Sequence, residues 1–333
     1  HKFSCKHEIY DLLSLVSCFL TISYLFRKRK SYAESAALRF GAIYAIITYI
    51  SMPVHHRNIY SLRRPLCMQP YSVLMSVYFR EKPEYLKAAV DSMLSQTVRP
   101  DELVLVCDGP LTPELDAVIA DYPRLNVIRL EKNSGLGAAL NEGLQHCRNE
   151  LVARMDSDDL ALPERCELQL KVFEAQPGLS ICSGTLKEFT DDPNEIVGQR
   201  TVPEQMDEIL SFSKKRNPFN HPAVMFRKSA VETAGGYNET YHLFEDYYLW
   251  IRMLQNGCSG YNVQQPLLKM RVSMDAYERR GGLRYAMELL RFHSWIRKTH
   301  WTTWKDYLTG ALPHAAVCVM PKRIRRFIYR FLR

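Results

Sequence analysis

The chain has 333 residues, 47% of them apolar and 24% charged, with a formal net charge of +8. That length and composition suit one large α/β domain with additions and exclude a disordered or fibrous chain. The charge sits at the ends: residues 1–67 carry ten Lys or Arg against three acids, and residues 322–333 carry six against none, so residues 68–321 are left at −5 (8 − 7 − 6). An acidic middle argues against a nucleic-acid-binding core and for basic appendages near an anionic surface. The nine cysteines are scattered without CxxC spacing, which reads as buried reduced thiols in a cytoplasmic protein.

Residues 10–26 are apolar apart from Asp11 and run into Arg27-Lys28-Arg29-Lys30. They fall short of the roughly 20 residues that a membrane helix needs. A weak signal anchor and a surface-lying amphipathic pair both suit residues 1–67. A third reading makes them an N-terminal extension of doubtful status, with the functional protein starting at or near Met68.

From residue 71 the chain alternates strand and helix. Strands are expected over 71–78, 102–107, 125–130 and 151–155, with helices over 83–96 and 137–147. Short apolar strands separated by helical segments imply a parallel sheet with right-handed crossovers. Ligands of such sheets bind beyond the carboxyl ends of the strands. Tyr78, Asp108 and the run Asp156-Ser157-Asp158-Asp159 all fall at such ends. Three carboxylates that close repel one another and raise one another's pKa. Either a divalent cation sits among them, with a diphosphate supplying further ligands, or they form a solvated Asp-rich turn.

Further along, Asn217-Pro218-Phe219-Asn220-His221-Pro222 precedes a strand expected over 223–226. Glu245-Asp246 opens a helix with Leu249, Trp250, Met253 and Leu254 on its apolar face. Acids in a first helical turn favour the helix dipole, so this pair is either a cap or a site. At the C-terminus, Ile324, Phe327, Ile328, Phe331 and Leu332 recur at one-face helical spacing among six basic residues. That is the composition of a helix lying on anionic lipid.

The motifs Ser76-Val77-Tyr78, Ser95-Gln96-Thr97, Asp108-Gly109, Asn133-Ser134-Gly135-Leu136-Gly137, Asn141 and Asp156-Ser157-Asp158-Asp159 resemble, in order and spacing, family 2 glycosyltransferases. These are inverting enzymes of the GT-A fold that use nucleotide sugars. The resemblance spans about residues 71–257. It is strongest to the bacterial enzymes that build O-antigen and exopolysaccharide repeat units on a lipid carrier.

The resemblance implies a Rossmann-like, mostly parallel sheet flanked by helices in a domain over 68–273, and the basic, one-face helical composition of the C-terminus makes 274–333 a helical, membrane-surface segment. It implies that Tyr78 stacks on uracil, Asp108 accepts the uracil N3–H, Asn133 to Gly137 approach the nucleotide, and Asp156 reaches the ribose. Asp158 would ligate Mn²⁺ or Mg²⁺, with Asp159 a further ligand or support. Asp246 would be the catalytic base, with Glu245 orienting the acceptor or the base. His221 is expected near the acceptor and diphosphate, and Arg154 there or as a charge partner of the aspartates. The donor would be a UDP-hexose and the acceptor a sugar on diphosphoundecaprenol. No nucleic-acid partner is implied, and the site of action would be the cytoplasmic face of the inner membrane. Two other functions suit the sequence less well. A sugar nucleotidyltransferase needs a Gly-rich loop after the first strand, where Tyr78 to Pro83 has no glycine. A non-catalytic, membrane-associated nucleotide-sugar-binding protein would not need both acidic groups.

Overall fold

The computed structural model describes residues 69–238, 243–272 and 281–321, together with 324, 325 and 328. The expectations for residues 1–67, and for most of the terminal basic helix, lie outside the described residues.

Strands β1 (Tyr71–Val77), β2 (Glu102–Cys107), β3 (Asn126–Arg129) and β4 (Leu151–Asp156) form a parallel sheet in the order β3-β2-β1-β4. β1, β2 and β4 are almost wholly buried, which explains their near-continuous apolar runs. Helices α1 (Pro83–Leu94), α2 (Pro113–Ala120) and α3 (Leu136–His146) cross between them. α1 shows the local logic. Pro83 opens the helix, and Leu86, Ala89, Val90 and Met93, spaced as one helical face, are fully buried against the sheet. Each of the three larger side chains contributes roughly 1.5–3 kcal/mol by leaving water.

The second half is built differently. β5 (Leu160–Ala161) and α4 (Arg165–Ala175) lead to β6 (Leu179–Phe189), a strand the sequence did not announce. Then come β7 (Ile196–Arg200), α5 (Met206–Phe212), a 3₁₀ turn over His221–Ala223, β8 (Met225–Arg227), α6 (Lys228–Thr233), α7 (Glu245–Gln255) and β9 (Ser259–Arg271). The sheet continues β4-β8-β6-β9-β5, with β7 on β6. β8 is antiparallel to both its neighbours, while β6 and β9 run parallel. The strand expected over 223–226 thus starts two residues later, because Pro222 lies in the 3₁₀ turn and offers no N–H for a ladder.

Last, α8 (Leu283–Lys298) pairs with a helix made of α9 (Trp304–Asp306), a π turn over Tyr307–Ala311 and α10 (Leu312–Val319). Phe244, Tyr247 and Ile251 of the α7 region share a core with Leu289, Phe292 and Ile296 of α8 and with Ala315 and Cys318 of α10. The helical pair therefore buttresses α7 directly. Of the described cysteines, Cys107, Cys147, Cys166, Cys182 and Cys318 are buried free thiols and Cys258 is partly exposed.

Candidate active site

Strand register sets the site. Val77 is opposite Cys107 and Ser76 opposite Asp156, so Tyr78, Asp108 and Asp156 emerge from one edge at nearly one level. Tyr78 is 38% exposed, with Phe79 edge-on at 5.8 Å, as a rim aromatic should be. Asp108 is buried, and its two carboxylate oxygens accept the backbone N–H groups of Ser134 (2.7 Å) and Gly135 (3.0 Å). Asn133 donates through its side chain to the Asp108 carbonyl at 3.2 Å. Asp108 is therefore the residue that shapes the 133–137 loop, with lone pairs left over for a ligand donor. Gly109 makes this approach possible: it sits at φ +87°, and a Cβ there would lie 2.6 Å from Asn133 N. A cavity of about 140 Å³ opens over Ser134 to Ala138, and Asn238 and Glu245 close its far side.

The aspartate run divides by surroundings. Arg154, 1% exposed, lies two residues before Asp156 on the same strand face and binds its carboxylate in a bidentate pair, Nη1 to Oδ2 at 2.7 Å and Nη2 to Oδ1. Its charge-partner role is observed, and its burial turns it inward. Asp158 is pushed up to about 7, first by burial and then by the charges of Asp156 and Glu81. Asp159 is 1% exposed. Its Oδ1 accepts the Arg271 N–H at 2.7 Å, its Oδ2 is buried without a hydrogen-bond partner, and burial beside Asp158 holds it well above the usual carboxylate range.

Two residues here went unassigned in the sequence. Glu81 adds a fourth carboxylate and accepts from Ser157 Oγ at 2.6 Å. Arg271 clasps the loop by donating to the Asp158 and Thr190 carbonyls while its guanidinium lies 3.7 Å from the Tyr85 ring centre. Their sequence signal was weak, an acid in a turn and an Arg at a strand end.

Among the described residues, no three His, Cys, Asp or Glu side chains converge into a ready metal cage. The donor set still fits a hard divalent cation. The carboxylates of Asp156, Asp158, Asp159 and Glu81 outnumber the one guanidinium paired among them, Arg154, and Asp159 Oδ2 is an orphan oxygen; Mg²⁺-like ions take one or two carboxylates and draw further ligands from a diphosphate. Asp158, with Asp156 beside it, is the residue that would hold such an ion, while Asp159 faces inward.

Opposite lies the N-terminus of α7. Glu245 lines the cavity; its Oε2 is buried without a hydrogen-bond partner, and burial and the adjacent Asp246 push it up to about 8. Asp246 accepts from Asn217 Nδ2 at 2.7 Å and from the Tyr247 N–H at 2.6 Å. Asn217, unassigned in the sequence, thus fixes the Asp246 carboxylate. Ser213, nearby in the chain, is held by Tyr247 OH on its carbonyl (2.8 Å) and by Trp301 Nε1 on its hydroxyl (3.0 Å).

His221 departs from expectation. It is not on the rim but buried behind Arg154, 3.1 Å from Tyr237 OH and packed against Trp250. Burial and the Arg154 charge hold it well below its ordinary pKa, hence neutral. It positions Tyr237, which lies within the field of Arg154, Asp246, Glu245 and Asp156. Asn141 of α3 locks the Tyr237 backbone from the other side, Oδ1 accepting its N–H (2.7 Å) and Nδ2 donating to its carbonyl (2.8 Å). Gly236, at φ +66°, is needed because a Cβ there would meet Asn141 Oδ1 at 2.6 Å.

Residues 72–234 match the family description "Glycosyl transferase family 2". The chain is 39% identical over 263 residues, 78% of its length and 95% of the relative's, to the UDP-Gal:alpha-D-GlcNAc-diphosphoundecaprenol beta-1,3-galactosyltransferase of Escherichia coli. It is 37% identical, over 78% of this chain and 97% of the relative, to the amylovoran biosynthesis glycosyltransferase AmsE of Erwinia amylovora. Among solved structures, the mannosyltransferase PcManGT of Pyrobaculum calidifontis, solved with GDP-Man and Mn²⁺, aligns over 89% of each chain with TM-score 0.56 at 18% identity, a likeness of fold. The register-aligned rim, the carboxylates on both sides of Arg154 and these relatives agree: the chain is a GT-A-fold glycosyltransferase and belongs to glycosyltransferase family 2.

Proposed function

We propose that the protein is an inverting, metal-dependent hexosyltransferase. It moves galactose, or else glucose, from the UDP-sugar to a sugar such as GlcNAc on diphosphoundecaprenol, forming a β linkage at the cytoplasmic face of a bacterial inner membrane. The observation that carries this reading is the pair of carboxylate groups gathered around Arg154, Asp156 with Asp158 at the sheet rim and Glu245 with Asp246 at the α7 N-terminus, close enough that the Asp156 charge reaches Glu245. The similarity, over 78% of this chain and 95% of the relative, to a galactosyltransferase whose name specifies GlcNAc-diphosphoundecaprenol supports the substrates, and the name amylovoran biosynthesis supports polysaccharide assembly.

In this reading Tyr78 stacks on the uracil and Asp108 receives its N3–H, while Asn133 and Gly135 let the nucleotide approach the backbone. Asp156, held flat by Arg154, takes the ribose hydroxyls. Asp158 and the donor diphosphate hold Mn²⁺ or Mg²⁺, which when bound supplies Lewis-acid neutralisation of the departing UDP. The acceptor hydroxyl oxygen attacks the anomeric carbon from the α7 side. Its proton passes to the Asp246 carboxylate, the bond from the anomeric carbon to the β-phosphate oxygen breaks, and UDP departs with the electron pair. Asn217 keeps Asp246 aimed and accepting. Glu245, held substantially protonated at neutral pH by its surroundings, donates a hydrogen bond that orients a sugar hydroxyl.

The full chain, given Mn²⁺, a GlcNAc-diphosphate-lipid analogue and UDP-galactose or UDP-glucose in turn, should release UDP and yield a β-linked disaccharide by mass spectrometry and NMR. Asp158→Ala should lower that rate about 10²-fold or more. Release no greater than that of Asp158→Ala with either donor overturns the reading.

A further inference from the structure

The C-terminal helical pair has an outward face unlike a solvated one. In the α9–α10 helix the exposed residues are Trp304, Lys305, Leu308, Thr309, Leu312, Pro313, Ala316 and Val319, with Thr303 at the cap. On α8 they are Leu283, Arg284, Met287, Arg291 and Lys298. Trp304, Leu308, Leu312, Val319, Leu283 and Met287 are each between 40% and 68% exposed. A soluble protein scatters such residues singly, and a contiguous row marks an interaction surface.

The helix is shaped to keep that row straight. Residues four apart advance an α-helix about 40° beyond a full turn, so Trp304, Leu308 and Leu312 would drift about 80° around a regular helix. The π turn over Tyr307–Ala311 has wider i→i+5 bonding and removes most of this drift. Pro313, just after it, has no N–H for the Thr309 carbonyl and crowds it, which gives the widening a local cause.

Charge names the partner. The described helical pair, residues 281–321, has five Lys or Arg against Glu288 and Asp306, a net +3 (5 − 2). Its exposed charged residues are all basic, while Asp306 is engaged in capping Thr303. Exposed Lys214, Lys215 and Arg216 lie along the same helix: a Cβ on Gly310 would meet Lys215 Cγ at 3.4 Å, Lys214 and Lys215 help hold Asp306 below its usual range, and Arg216 lies near His314. An apolar row on helices whose exposed charges, Arg284, Arg291, Lys298 and Lys305, are all basic is the pattern of an element seated at the headgroup level of anionic lipid. A second copy of this face would bring like charges together.

We propose that this face, centred on Trp304, Leu308 and Leu312 with Leu283 and Met287 alongside, docks on the surface of an anionic bilayer. The docking holds the catalytic base at that surface. Asn217, the residue that grips Asp246, directly follows Arg216, so the basic run and the residue that fixes the base belong to one loop. A lipid-linked acceptor then presents its sugar to Asp246 without leaving the bilayer, which rests on the acceptor class proposed above.

The test is co-sedimentation of the full chain with vesicles of phosphatidylcholine containing roughly 30% phosphatidylglycerol, against pure phosphatidylcholine. Binding is expected to the first and not the second, and L308E/L312E on one helix and L283E/M287E on the other should each weaken it about tenfold. Transfer to a short-chain, water-soluble acceptor should be unchanged in both variants. Retention of wild-type vesicle binding by both variants overturns the proposal, as does a wild-type dimer in solution that the same substitutions split. The sedimentation needs neither donor nor acceptor, so its failure is separate from a failure of the transfer assay.

Discussion

The two halves of the catalytic unit reach the same cleft by different means. In the first half, β1 to β4 are parallel neighbours and the candidate site residues lie at or just past the last residues of strands, so backbone register aligns Tyr78, Asp108 and Asp156. In the second half, β6 pairs with β9 some eighty residues away, Leu179 opposite Ser259. There the working residues are set by side-chain clamps, Asn217 on Asp246, Asn141 on Tyr237, and Arg252 on the Ala234 and Gly236 carbonyls. A half built on register tolerates change away from its strand ends, whereas one built on clamps has its chemistry exposed to single amides. Arg154 joins the two, pairing with Asp156 while lying in the field of Glu245.

The sharpest way to break this division is Asp246→Asn. It should cut kcat about 10³-fold while leaving UDP affinity by calorimetry unchanged, and an equal loss of UDP binding would show that the halves are not separable. Asp108→Ala probes the other half. It leaves the Ser134 and Gly135 N–H groups without their acceptor, at about 1–3 kcal/mol each, so KM for the donor should rise roughly 10- to 100-fold with kcat little altered.

The smallest effect concerns stability. Glu245 is lifted from an ordinary 4.5 to about 8 in the fold, so the folded state holds its proton more tightly than the unfolded state. Its contribution is complete below about pH 4.5 and is lost as pH rises through 8. Glu245→Gln should therefore show a flatter melting temperature between those limits and melt above the wild type on the alkaline side. A parallel fall in both proteins would mean that Glu245 ionises freely in the fold.

The sequence by itself determined the parallel first half and both carboxylate groups. Strands buried on both faces must be apolar throughout, so β1, β2 and β4 announce themselves, and a polar residue that ends such a run marks the strand's carboxyl end. It did not disclose β6 or β9. These carry Ser183, Gly184, Thr185, Asn262 and Pro266, polar or strand-averse residues, and two of them are met by distant partners: Ser183 Oγ donates to the Asn220 carbonyl at 3.0 Å, and Asn262 Nδ2 to the Pro203 carbonyl at 2.6 Å. Only the tertiary structure turned His221 and Asp159 inward, brought Glu81 and Arg271 to the aspartates, and placed Asn217 on Asp246. The reason is physical: periodicity records which face of an element meets the core, but a buried hydrogen bond between residues far apart in the chain leaves no local pattern, so such residues acquire their roles only when the chain is folded.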